Sequence, residues 1–200
     1  MAVESSMKTD RAAPSTARHE IRIIGGQWKR SKLPVADKPS LRPTPDRVRE
    51  TLFNWLGQDL TGWRCVDAFA GTGALGFEAA SRGASAVHMF EQDAALVTQL
   101  RAVQARLSAS AVVVARGDGV AGLRSTPAGS ADLVFLDPPF AADLFDDALR
   151  ASVPALAATG LVYLEAPQPW TDERLAPLGL CVRRHLKAGA VHAHLLQRAS

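Results

Sequence analysis

From Gly62 onward the chain alternates apolar runs of strand length with segments of helical periodicity, and few architectures accept that rhythm. Arg64 to Phe69 reads as a strand, Ala74 to Arg82 as a helix, Ala86 to Phe90 as a strand, Asp93 to Leu107 as a helix, and Ala111 to Ala115 as a strand. Leu133 to Leu136 reads as another strand, followed by a helix over Ala142 to Leu156 and a strand over Leu161 to Leu164. Strands separated by helices pair in parallel, with the helices covering both faces. Near the end the rhythm breaks. Leu180 to Lys187 and Val191 to Gln197 are joined only by a turn at Gly189, which makes an antiparallel hairpin. The expected fold is therefore α/β and Rossmann-like, a mostly parallel seven-stranded sheet with a C-terminal antiparallel hairpin.

Composition narrows the class. Two hundred residues, 47% of them hydrophobic, are enough for one domain with a full core and a small extension. No apolar run reaches the roughly 20 residues of a membrane helix, and the N-terminus lacks the apolar stretch of a secretory signal. Cys65 and Cys181 are too few and too far apart for a metal site, so reduced thiols in the cytoplasm and no metal are expected. Charge is distributed unevenly. Residues 1–50 hold eleven Lys or Arg against six Asp or Glu, a net +5, which leaves −2 for the remainder. A basic first quarter points to a polyanion approached from that end.

That first quarter divides in three. Residues 1–18 mix Ser, Thr, Ala, Pro and charges without periodicity and are expected to be a disordered tail. Residues 19–60 are expected to form a basic extension to the main α/β domain, residues 61–200. Ile21 to Ile24 reads as a strand, Gly25-Gly26 as a turn and Gln27 to Leu33 as a returning strand, a hairpin carrying Arg22, Lys29, Arg30 and Lys32 around Trp28. Cations interleaved with an aromatic ring can hold phosphates and stack on a base, although a hairpin can also simply cap a sheet. Pro34 to Pro43 is a linker, and Thr44-Pro45 should open a helix with the hydroxyl as N-cap. Val48, Leu52, Trp55 and Leu56 then make one buried stripe, with Arg47 and Arg49 off it and free to meet RNA, a cofactor or water.

Two motifs carry chemistry. Asp67-Ala68-Phe69-Ala70-Gly71-Thr72-Gly73-Ala74-Leu75-Gly76 lies at the first strand-to-helix turn, where Gly71 and Gly73 let backbone approach a ligand and Gly76 lets the helix pack closely. Glu91 ends the next strand twenty residues after Gly71, the spacing at which an acid holds a ribose diol. S-adenosylmethionine suits this pattern better than NAD, because Asp67 would attract a methionine ammonium and repel a pyrophosphate. Asp118, between Gly117 and Gly119, offers an acceptor for an adenine amino group, and the terminal hairpin is foreign to dinucleotide-binding sheets. The second motif is Asp137-Pro138-Pro139-Phe140, at the end of the apolar run Val134 to Leu136. Two prolines stop the strand and leave carbonyls free, so Asp137 is presented at the sheet's carboxyl edge on a stiff loop. A carboxylate, a loop carbonyl and the Phe140 ring suit a planar ligand with an exocyclic NH2.

These segments, with Arg22-Ile23-Ile24-Gly25-Gly26 and Arg42-Pro43-Thr44-Pro45-Asp46-Arg47-Val48-Arg49-Glu50, occur in the order seen in RsmD-type enzymes, which the chain resembles from Ile21 onward. Those are class I, S-adenosylmethionine-dependent 16S rRNA guanine-N2 methyltransferases of bacteria. The resemblance implies Asp67, Phe69, Gly71, Gly73, Glu91 and Asp118 around the cofactor, and Asp137, Pro138, Pro139 and Phe140 around the target guanine. From their charge, Arg22, Lys29, Arg30, Arg42 and Arg47 are expected on RNA, and the expected partner of a monomeric enzyme is 16S rRNA or a small-subunit assembly intermediate. The four-residue motif alone would also fit an adenine-N6 or protein-glutamine methyltransferase, or a binding module that no longer turns over. His192 and His194, outside these motifs, alternate on one strand and are expected to face solvent rather than a metal.

Overall fold

The computed structural model describes residues 20–35 and 44–199. The tail expected over 1–18 and Arg42 lie outside the described residues. Seven strands form one sheet: β3 (Arg64–Asp67), β4 (Ala86–Glu91), β5 (Val112–Arg116), β6 (Ala131–Leu136), β7 (Leu156–Ala166), β8 (Leu180–Ala188) and β9 (Val191–Arg198), in the spatial order β5-β4-β3-β6-β7-β9-β8. The first five are parallel, and β9 runs antiparallel to both β7 and β8. The strand order reverses between β3 and its neighbours β4 and β6, so the carboxyl ends of these strands frame the crevice where such sheets bind ligands.

One face of the sheet packs on α1 (Asp46–Trp55), α2 (Ala74–Ser81) and α3 (Ala94–Arg106), and the other on α4 (Gly119–Ser125) and α5 (Phe145–Ala155). The stripe on α1 is buried through Val48, Leu52 and Leu56, with Trp55 only partly covered. Phe53 completes it, 6.5 Å from the ring of Phe135 in the sheet. The N-terminal helix is thus continuous with the main core. No helix among the described residues is long and apolar enough to cross a membrane.

Four expectations are corrected. The basic hairpin has shorter strands, β1 (Glu20–Arg22) and β2 (Lys32–Pro34), with Ile21 opposite Leu33. The chain between them closes on itself through Ile23 and Arg30 (2.8 Å) and also bonds to α2: Gln27 N–H donates to the Ser81 carbonyl (2.8 Å) and Trp28 N–H to Ser81 Oγ (3.0 Å). Gly26 makes this approach possible, since its φ is +71° and a Cβ there would lie 1.8 Å from the Ser81 oxygen. Thr44 does not cap α1. Pro45 occupies the cap position, and the Thr44 hydroxyl donates to Glu165 Oε1 at 2.7 Å.

Arg49 is not free but fully buried. Its guanidinium donates to the carbonyls of Thr44 (3.3 Å) and Arg22 (2.9 Å), to Asp46 (2.5 Å) and to Glu78 (3.4 Å). His194 is also buried, because β9 is an interior strand covered on both sides. Its Nε2 accepts from Trp170 N–H at 3.1 Å, and its ring stacks on His185 with centroids 4.7 Å apart. Helix α4 went unrecognised in the sequence because Gly119 and Gly122 dilute its periodicity. Gly122 is required there, as a Cβ would sit 2.6 Å from the Phe90 ring.

Candidate active site

The turn after β3 is shaped by its glycines. Gly71 (φ 52°) and Gly73 (φ 80°) both take the left-handed conformation. A Cβ on Gly73 would lie 2.6 Å from Leu100 and Phe77, and one on Gly76 would lie 2.3 Å from Met89. The turn is therefore pressed against α3 and β4. Asp67 sits beneath it, 3% exposed, and Oδ2 accepts from Gly76 N–H at 3.1 Å. Burial is the main reason its carboxyl is pushed up to about 7, only partly offset by the amides of Gly76 and Phe69. Asp67 braces the turn from below, a position the sequence could not distinguish from direct contact with a ligand.

Glu91, at the end of β4, closes the other side. One carboxylate oxygen accepts from Gly71 N–H (2.9 Å) and the other from Asp93 N–H (2.8 Å), which ties the glycine turn to the start of α3. Gly117 N–H donates to the Glu91 carbonyl at 3.0 Å, so the next loop lies alongside. There the exposed Asp118 caps α4 through Ala121 N–H (2.8 Å) and accepts from the Gln92 amide (2.7 Å). Phe69 is half-buried between this loop and the glycine turn, against Gly119. A Cβ on Gly119 would come within 2.0 Å of the Ala68 carbonyl oxygen. Gly119→Ala must push the two loops apart, and overpacking of this kind costs about 1–3 kcal/mol. The expected result is a roughly tenfold weaker cofactor affinity by calorimetry.

Asp137 follows directly on β6. Asp137 is half-buried, Pro138 buried, and Pro139 and Phe140 exposed, with 41% of Phe140 open to solvent. The Phe140 ring is backed by Phe145, centroids 6.2 Å apart, and Phe145 in turn by Trp170 at 6.5 Å. The corner therefore places a half-buried carboxylate and an exposed aromatic ring at the carboxyl edge of the sheet, the edge that also carries the glycine turn. Burial, then the nearby charges of Glu165 and Asp67, raise the Asp137 carboxyl well above the ordinary carboxylate range.

A model of the family described as conserved hypothetical protein 95 matches residues 21–197. The relative named ribosomal RNA small subunit methyltransferase D in Escherichia coli K12 is 41% identical over 183 residues, covering 90% of each chain. The chain belongs to the RsmD family. The Haemophilus influenzae relative of the same name is 39% identical over 170 residues, covering 78% of this chain and 87% of its own. The solved structure of Escherichia coli yhhF superposes with a TM-score of 0.78 at 39% identity, covering 91% of this chain and 99% of that one. The Rossmann-like fold of this RsmD-family methyltransferase is shared with that structure.

On the extension, Arg22, Lys29, Arg30 and Arg47 are all exposed. They share a segment locked to α2 and α1 rather than a free arm. Three residues absent from the sequence-based site are bonded together beside it: the hydroxyls of Thr44 and Tyr163 donate to Glu165, whose charge acts on Asp137. A legible signal existed for Glu165, an acid inside the buried run Leu161 to Ala166. Among the described residues no group of His, Cys, Asp or Glu is arranged to hold a metal ion.

Proposed function

We propose that this RsmD-family protein transfers a methyl group from S-adenosylmethionine to the exocyclic N2 of a guanine in 16S rRNA, as a cytoplasmic monomer acting on the free RNA or an assembly intermediate. The observation that carries this reading is the Asp137–Phe140 corner, open at the rim beside the glycine turn and electrostatically in reach of Asp67. The relatives' names supply the substrate class. The residues present fit the cofactor: Glu91 is an acceptor pair at the end of β4, Asp118 an exposed acceptor after β5, and the left-handed Gly71 turns the backbone beside Glu91 without a side chain. When bound, S-adenosylmethionine supplies an electrophilic methyl group on a sulfonium.

Guanine N2 is a poor nucleophile because its lone pair is delocalised into the ring. Asp137 accepts from one N–H, and a carbonyl of the Pro138–Pro139 loop from the other. Together they favour a pyramidal nitrogen as positive charge develops, which stabilises the transition state more than the ground state. Phe140 stacks on the base and aligns N2, and alignment alone can supply several kcal/mol. The base must be unpaired or flipped to enter, since N2 is engaged in a duplex.

Incubating unmodified small-subunit RNA or subunits with labelled cofactor, then mapping the label, tests this directly. Label on a guanine N2 is expected; label on adenine or on protein overturns it. Arg22, Lys29 and Arg30 are assigned to phosphate contacts. Replacing all three by Ala should reduce the slope of log affinity against log salt by about 2. An unchanged slope would place the RNA on another surface.

A further inference from the structure

The mechanism uses Asp137 and leaves a second buried carboxylate beside it unexplained. Leu136 on β6 lies opposite Leu164 on β7, so the next residues of the two parallel strands stand side by side, Asp137 just past the end of β6 and Glu165 still within β7. Glu165 is 3% exposed, in a strand otherwise apolar from Leu161 to Ala166 apart from the Tyr163 hydroxyl. Both hydroxyls nearby are aimed at one of its oxygens: Thr44 Oγ1 donates to Oε1 at 2.7 Å and the Tyr163 hydroxyl at 2.8 Å. The guanidinium of Arg49 adds a favourable charge. Thr44, two residues before α1, reaches this point because α1 packs on the sheet. A buried acid is expensive to keep without a purpose, and one of ordinary structural value would be paired directly with a cation.

We infer that Glu165 is a positioning residue for the reaction: a second carboxylate, anchored by Thr44 and Tyr163, that makes Asp137 the proton acceptor of the pair. The inference rests on the assignment of the reaction to Asp137. Two carboxylates in one buried site do not both ionise easily, and the one with donors keeps its charge. Burial pushes the Glu165 carboxyl up as well, but its two hydroxyl donors and the Arg49 charge oppose that. Burial, Glu165 and Asp67 all push Asp137 up, so the proton of the pair goes first to Asp137. As the N–C bond forms and the C–S bond breaks, the surplus proton on N2 passes to the Asp137 carboxylate and from there to water when product leaves. The other ionisable or charged groups acting on the pair are Asp67 on β3, Tyr163 on β7 and Arg49 on α1.

Glu165→Gln tests the inference, because its amide oxygen still accepts from both hydroxyls while the charge is gone. Single-turnover rates against pH should show the acid limb displaced by about one unit to lower pH. The plateau should be about tenfold lower, because Asp137 becomes a weaker base, and the KM for RNA unchanged. Glu165→Ser, also neutral, serves if the amide disturbs the pocket. The carboxyl carbon of Asp137, followed by NMR titration in the protein without cofactor, should move in the same direction. A lowered plateau with an unmoved limb and an unmoved titration would make Glu165 merely structural and overturn the inference. Asp137→Asn separates the two levels: if it retains turnover, the reaction itself is misassigned; if it is inactive while both neutral variants titrate like the wild type, only the role of Glu165 fails.

Discussion

Asp137→Ala is expected to reduce single-turnover methyl transfer by at least about a thousandfold while RNA affinity changes less than about threefold. An acceptor placed where charge develops contributes on the order of 10²–10³, and a positioned base a further 10²–10⁴. Asp137 has both roles in the proposed mechanism, whereas it is one contact among many for RNA, whose affinity comes mainly from phosphates. Filter binding and a methylation time course on the same preparation separate the two quantities. A variant with near-normal rate would move the chemistry away from this corner. In the wild type the rate should rise with pH and then level off. Asp137 accepts a proton only when ionised, and burial with Glu165 and Asp67 nearby lifts its carboxyl well above the usual range. Activity is therefore lost as pH falls through that raised value.

Glu78→Ala should destabilise the fold by about 3–5 kcal/mol, the cost of breaking a buried ion pair by removing one partner. Glu78 is fully buried and accepts from four donors: Ile24 N–H and Gly25 N–H at 2.7 Å each, Arg82 Nε at 2.9 Å and Arg49 Nη1 at 3.4 Å. Its loss leaves two buried guanidinium groups short of a counter-charge and two amides without an acceptor. For a chain of this length the midpoint of thermal unfolding should fall by on the order of 10 °C. Hydrogen exchange at Ile24 and Gly25 should accelerate before that of the central strands, because Glu78 is what ties them to α2. A midpoint within about 2 °C of wild type would show that the N-terminal segment is held by its apolar contacts alone. Glu78→Gln, which keeps two acceptor sites on one oxygen, should fall between.

These two residues also mark how far the chain could be read before folding. Asp137 was legible because its signal is local: an apolar run, an acid and two prolines decide where a strand stops and what it presents. The glycine turn was legible for the same reason, through backbone conformations other residues avoid. Arg49 was misjudged because periodicity places a side chain on a helix face but says nothing of what covers that face. Its partner Glu78 is twenty-nine positions away. Thr44 read as a helix cap, its common local use, until Glu165, 121 positions on, took the hydroxyl. His194 was misjudged in the same way, since alternation shows which side of a strand it faces but not that β9 is an inner strand and β8 the edge.

Strand-helix alternation, the two glycine- and proline-bearing turns and the break in rhythm at Gly189 were enough to specify a mostly parallel sheet with those two turns at its carboxyl edge, because each depends on neighbours within a few residues. The packing of the basic segment onto α2, the burial of Arg49 and the pairing of Glu165 with Asp137 had to await the assembled chain. They join elements distant in sequence, and a charge accepts burial only where folding brings its donors or counter-charge alongside.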